Sequence, residues 1–247
     1  MAECYVPDWA VPANVRALQT TRNGGVSQAP WASFNLGDHV GDEPAAVASN
    51  RAALRARLPA EPRWLTQVHG TVAVDADQRP EIREADAAFA RQPGSVCVVM
   101  TADCLPVLLC DRQGTVVAAA HAGWRGLLAG VLESTVAAMN VSPGGLLAWL
   151  GPAIGPRCFV VGDEVRNAFV AENPAADLAF VPQQPGKWLC DICLLARQRL
   201  QGMGVTAISS GGSCTVSDGE RYFSYRRDGV TGRMASLIWL ESRAQSV

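Results

Sequence analysis

Between residues 95 and 120 the chain is almost unbroken in apolar character. Residues 95–101 (SVCVVMT), 105–110 (LPVLLC) and 115–120 (TVVAAA) read as three strands, the last two joined by the turn Asp111-Arg112-Gln113-Gly114. Strands this apolar predict burial on both faces. Further strands are expected at 15–21, 146–150, 158–162 and 205–209, and WLTQVHGTVAV reads as a strand turned at His69-Gly70. Helical spacing marks residues 44–58, where Pro44 suits the first turn, and residues 125–139, where Leu128, Val131, Leu132, Thr135 and Met139 share a side. Residues 163–172 and 191–203 read as two more helices. The tail predicts a hairpin, with RYFSYRR paired to GRMASLIWL around Asp228-Gly229.

No repeat, low-complexity block or linker divides this pattern. The expectation is one α/β domain over residues 1–247, with a mixed sheet at its core and helices packed outside.

Composition narrows the function classes. Hydrophobic residues make up 49% and charged residues 18%, as in soluble globular proteins. The net charge of −2 comes without a basic stripe, so no nucleic-acid partner is expected. The start, MAECYVPDWAVPANV, lacks the basic and apolar segments of a signal peptide, and no apolar run approaches the ~20 residues that span a bilayer. A cytoplasmic location without membrane attachment is the expectation. The eight cysteines then read as free thiols, Cys97 and Cys110 as small core residues. The CxxC at Cys190–Cys193 has no second pair and no nearby histidine, and its Asp191 reads as a helix start. Neither a GxGxxG turn nor a P-loop is present.

Chemistry concentrates at strand ends. Cys104 follows Ala102-Asp103 at a break between apolar runs, and His121 sits where the next run gives way to Ala122-Gly123-Trp124-Arg125-Gly126. A hairpin between them can bring thiol and imidazole together. Of the two remaining histidines, His69 ends a predicted strand and His39 lies in a polar loop. Three readings stay open on residue types alone: core filler, a Cys–His nucleophile pair, or a metal site. Two imidazoles and a thiolate with one vacant position suit catalytic zinc, and the same donors suit copper.

TQVHG, TADCLPVLL, HAGWRGL, GPAIGP and YRRDGVTGRMAS, in this order, resemble the YfiH family, also called the polyphenol oxidoreductase, multicopper laccase-like or laccase-domain family. TTRNGGVS and SFNLGDHVGD match as well, so the resemblance runs from about residue 15 to 240. It implies a compact α/β sandwich of the type shared with toxin-like cysteine hydrolases. It also implies a metal site at His69, Cys104 and His121, filled by zinc or alternatively copper. The implied activity is purine nucleoside phosphorylase: adenosine, inosine or methylthioadenosine plus phosphate give base and (methylthio)ribose 1-phosphate. Adenosine deamination is implied as a side activity. The implied alternatives are a cysteine-type amide hydrolase editing peptidoglycan precursors and a copper-dependent polyphenol oxidase.

Residue chemistry weighs these names. With three histidines in all, a centre that uses two leaves only His39, too few for a multinuclear copper cluster. Deamination fits zinc, but neither His69 nor His121 carries the usual glutamate two residues on, which leaves Asp103 as candidate acid/base. Phosphate needs cationic partners. Arg125 is the first candidate, at an expected helix N-terminus, with Arg51 and Arg226 behind it. Asn35 in SFNLG and the backbone of residues 151–155 are expected to line the substrate cleft. The expected partners are a purine nucleoside and phosphate, and the oligomeric state stays open.

Overall fold

A computed structural model describes residues 2–78 and 84–242. In chain order the first strands are β1 (Cys4–Tyr5), β2 (Val15–Thr20), β3 (Ala73–Asp75), β4 (Ala87–Ala90), β5 (Cys97–Thr101), β6 (Leu105–Asp111) and β7 (Val117–Ala122). They are followed by β8 (Leu146–Leu150), β9 (Val160–Gly162), β10 (Phe180–Gln184), β11 (Lys187–Cys190), β12 (Ala207–Ser210) and β13 (Met234–Leu240). The α-helices are α1 (Pro44–Arg55), α2 (Trp124–Ala129), α3 (Val131–Met139), α4 (Asp163–Glu172), α5 (Ile192–Gly202) and α6 (Tyr225–Asp228).

Two sheets lie face to face. One is antiparallel, in the order β1-β2-β13-β5; the other is mixed, in the order β12-β8-β6-β7-β4-β3. Strand alternation sorts the apolar residues between layers. On β6, Leu108 and Cys110 face the opposing sheet and join Val15, Val99 and Ile238. Leu105, Val107 and Leu109 of the same strand face the other way, onto Leu127, Leu132 and Leu195 of α2, α3 and α5. On the antiparallel sheet, Val98, Met100 and Leu237 pack beneath Leu54 of α1. The layers therefore run helix, sheet, sheet, helices. Both central sheets are covered twice, which is why their strands lack polar alternation. Among the described residues, no helix is long and apolar enough to cross a membrane.

Three expectations change. The helix over 125–139 is two helices, broken at Gly130, whose φ of 101° serves as the left-handed C-cap of α2. The tail is not a hairpin. Residues 225–228 form α6, with the Ser224 hydroxyl accepting from the Arg227 N–H, and β13 pairs with β2 and β5 instead. The predicted strand around His69 is irregular until β3. Strands β1, β4, β10 and β11 have no counterpart in the sequence reading.

Position in this fold follows from the crossover. Strand β5 ends in the antiparallel sheet at Thr101, and β6 begins in the mixed sheet at Leu105. Residues 102–104 bridge the two layers at one end of the sandwich.

Candidate metal centre

Register brings the thiol to the imidazole. In the β6–β7 hairpin Leu105 opposes Ala122 and Pro106 opposes His121, so Cys104 emerges beside Gly123. On the other side of β7, Ala87 opposes Ala120, and the His121 N–H donates to the Asp86 carbonyl at 2.7 Å. Three adjacent strands thus align Cys104, His121 and Asp86 across the end of one sheet.

His69 arrives from the loop before β3, and Asp86 holds it there. The fully buried Asp86 carboxylate accepts from the backbone N–H groups of Val68, His69 and Gly70, at 3.2, 2.9 and 2.6 Å. It also accepts from Nδ1 of the buried His121 at 2.8 Å. That bond fixes His121 with Nε2 as its free ring nitrogen, the carboxylate–histidine arrangement of metal sites. The two rings stand edge to face, centroids 4.8 Å apart. Cys104 Sγ lies 3.6 Å from His69 Nε2. His69 and Asp103 both take left-handed backbone angles, φ 59° and 91°. Non-glycine residues pay for that conformation, and such strain collects at functional sites.

One ligand atom from each of His69, Cys104 and His121 lies within 4.8 Å of the others. A soft thiolate with two imidazoles is a donor set for zinc or copper. Gly123 keeps the space clear: a Cβ there would stand 2.6 Å from His69 Cδ2 and 3.0 Å from Cys104 Sγ. The residues therefore fit a metal ion. Without one they form an ion pair. Burial opposes ionising the Cys104 thiol, but the His121 charge and hydrogen bonding from both imidazoles outweigh it and lower the thiol to about 6. Burial likewise opposes charging His121, but the Cys104 thiolate and Asp86 outweigh it and raise the imidazole to about 9.

The centre opens into a cavity of about 610 Å³ whose lining includes His39, Arg125, Arg226 and Arg233. Its apolar wall includes Trp124, Ile154 and Phe159. Arg125 is exposed and stacks on Trp124, with its guanidinium carbon 4.3 Å from the ring centroid. Arg233 spends Nη1 on the carbonyls of Thr231 and Gly232. Arg226 spends Nη1 on those of Cys158 and Val160. Among the described residues, no carboxylate forms an ion pair with these three arginines. Thr101 also lines the cavity, buried, and its hydroxyl has no partner among the described residues.

The other sequence candidates lie differently. Asp103 lines the cavity, but its carboxylate is engaged, accepting from the Thr215 hydroxyl and the Arg226 N–H, both at 2.6 Å. Asn35 does not reach the cleft. It is fully buried, donates to the Gly37 carbonyl and Asp42, and accepts from the N–H groups of Gly37 and Arg233. It braces Arg233 from behind. Arg51 lines a neighbouring groove, where it donates to the Leu36 carbonyl and stacks on Trp64. Of residues 151–155, only Ile154 lines the main cavity. Sequence reasoning missed Asp86, Gly123 and Arg233. A signal for Asp86 was available: one carboxylate inside the small apolar run Ala85–Ala90 must find a buried partner.

Comparisons with known proteins place the chain in a family. Residues 16–241 match the family model described as multi-copper polyphenol oxidoreductase laccase. A purine nucleoside phosphorylase of Pseudomonas aeruginosa is 59% identical, covering 95% of this chain and 97% of that protein. The purine nucleoside phosphorylase YfiH of Escherichia coli is 55% identical, covering 97% and 100%. The crystal structure of a Neisseria meningitidis protein superposes with a TM-score of 0.94 at 51% identity, covering 97% of this chain and 99% of that one. That of YlmD from Geobacillus stearothermophilus gives 0.85 at 31% identity, covering 93% of each. Likeness of this extent, over a family model spanning both sheets and the His–Cys–His cluster, is membership: the chain belongs to the YfiH family of laccase-like proteins.

Proposed function

We propose that the chain is a purine nucleoside phosphorylase, cleaving adenosine, inosine or methylthioadenosine with phosphate to the base and (methylthio)ribose 1-phosphate. One observation carries this reading: the His–Cys–His cluster shares a single cavity with three arginines whose guanidinium groups form no ion pair with a carboxylate among the described residues. The cavity's volume lies in the range of small-molecule sites. Near-full-length relatives named purine nucleoside phosphorylase support the substrate class.

Each side chain has a defined task. Arg125, Arg226 and Arg233 bind and orient phosphate, for which a guanidinium fork is suited. Trp124, Phe159 and Ile154 give the purine an apolar surface and exclude water. Asp103 is a positioning residue that anchors the N–H of Arg226. Zinc, or alternatively copper, bound by His69, Cys104 and His121 would supply Lewis acidity at the floor of the cavity. Asp103 is the one carboxylate lining the cavity among the described residues, and both its oxygens are engaged, so we rank adenosine deamination as a minor activity.

Phosphate-dependent release of adenine, followed with product ribose 1-phosphate, tests this reading. Arg233→Gln is expected to raise the KM for phosphate on the order of tenfold, the loss of one charge-assisted contact. A change in nucleoside KM alone would remove Arg233 from the phosphate site.

A second reading has an observation of its own. Asp86, His121 and Cys104 stand in the order orienter, base and nucleophile, the arrangement of a cysteine amide hydrolase. Chelators separate the two, because they stop a metal-dependent phosphorylase and leave a cysteine hydrolase working.

A further inference from the structure

A second group of thiols lies away from the metal centre. Cys158, Cys193 and Cys214 line a separate cavity of about 320 Å³, which shares Ile154 with the main cavity. Their surroundings differ. The Gly155 backbone N–H donates to Cys214 Sγ at 3.2 Å, and the Ser217 hydroxyl donates to it at 3.4 Å. The same hydroxyl stands 3.5 Å from Cys158 Sγ. A single oxygen therefore sits between the two sulfurs. Donors directed at sulfur stabilise a thiolate, the reactive form of cysteine.

We propose that Cys214 is a peroxide-reactive thiol and that Cys158 is its resolving partner, closing a reversible Cys158–Cys214 disulfide beside the main cavity. The Cys214 thiolate attacks one oxygen of hydrogen peroxide or an organic hydroperoxide. The S–O bond forms as the O–O bond breaks, and water or an alcohol leaves after taking up a proton. Sulfur is oxidised to the sulfenic acid and the peroxide is reduced. Cys158 then attacks that sulfur as Ser217 swings aside. The S–S bond forms, the S–O bond breaks, and hydroxide leaves with the Cys158 proton as water.

Two further observations support this assignment. Hydrogen bonds from Ser217 and from backbone N–H groups outweigh the burial that opposes ionising Cys214, and lower its pKa. Cys193, on the same cavity, has no such donors among the described residues, and burial pushes its thiol up to about 12. It is an internal reference. The Cys158 and Val160 carbonyls also hold the Arg226 guanidinium, so a disulfide here forms next to a wall of the main cavity.

The test is peptide mapping of the full-length protein as purified, treated with about one equivalent of hydrogen peroxide in the presence or absence of dimedone. Cys214 is expected to oxidise on the order of tenfold faster than Cys193, and the mapped product is a Cys158–Cys214 disulfide. In Cys158→Ser the dimedone adduct accumulates at Cys214. Mapping distinguishes both sites from Cys104. Equal oxidation of Cys193 and Cys214, or a Cys214 sulfenic acid that persists beside a free Cys158, overturns the proposal whether or not the protein is a phosphorylase.

Discussion

Replacing Asp86 with asparagine removes the charge that holds His121 and the His69 loop in one arrangement. Metal affinity is expected to fall by about 10–100-fold, as when outer partners of ligating histidines are lost. Competition with a chromophoric chelator measures it, and unchanged affinity would relieve Asp86 of this role. The Cys104–His121 ion pair predicts a pH signature in metal-free protein. The thiol is lowered to about 6, so alkylation of Cys104 by iodoacetamide holds its plateau down to about that pH and declines only below it. A decline that begins near pH ~8.5, as for an ordinary thiol, would deny the pairing. These residues differed in how legible they were. His69, Cys104 and His121 stand out because histidine is scarce and each breaks an apolar or strand-like run. Asp86 is legible only as a buried carboxylate that needs a partner, and that partner, His121, lies 35 positions away. Asn35 lies in a family motif and Arg51 was a candidate for phosphate, yet packing directs both away from the cavity, one into a buried loop and the other onto Trp64.

At the scale of elements, the centre rests on three adjacent strand ends and on the crossover from β5 to β6. Leu108 lies between the sheets at 0% exposure, on the strand that begins just after Cys104. Leu108→Ala is expected to cost about 2–5 kcal/mol, from lost transfer energy and the cavity left behind. Denaturant unfolding reads that cost. A loss below about 1 kcal/mol would mean that the layers repack around the gap. Continuous apolar strands were legible here, because burial on both faces leaves a strong signal. Strand β4 was not: it is three alanines and a phenylalanine, with little β-propensity, held by β7 and β3. The tail misled through a local cue. Asp228-Gly229 looks like a hairpin turn, but Gly229 ends α6, while β13 finds its partners more than 100 residues away.

For the whole molecule, chain order conceals what the fold assembles. The loop before β3, the β5–β6 crossover, the end of β7 and the segment after α6 are distant in sequence, yet they meet at one end of the sandwich. Both the mixed sheet and the family follow from long patterns and ordered motifs, so both were readable in advance. Arg233 at the cavity wall was not, because its placement depends on the buried Asn35 of a distant loop. As proposed above, this cavity is a metal-dependent phosphorolytic site. Its most direct test is metal content read beside phosphate-dependent cleavage of adenosine, in the wild type and in Cys104→Ala. The predicted result is about one metal ion per chain, as expected for a single three-ligand site, with adenine released only when phosphate is present. Metal and turnover are lost together in Cys104→Ala. Stoichiometric metal with adenosine left intact in phosphate, or cleavage that persists in the metal-free variant, would contradict it.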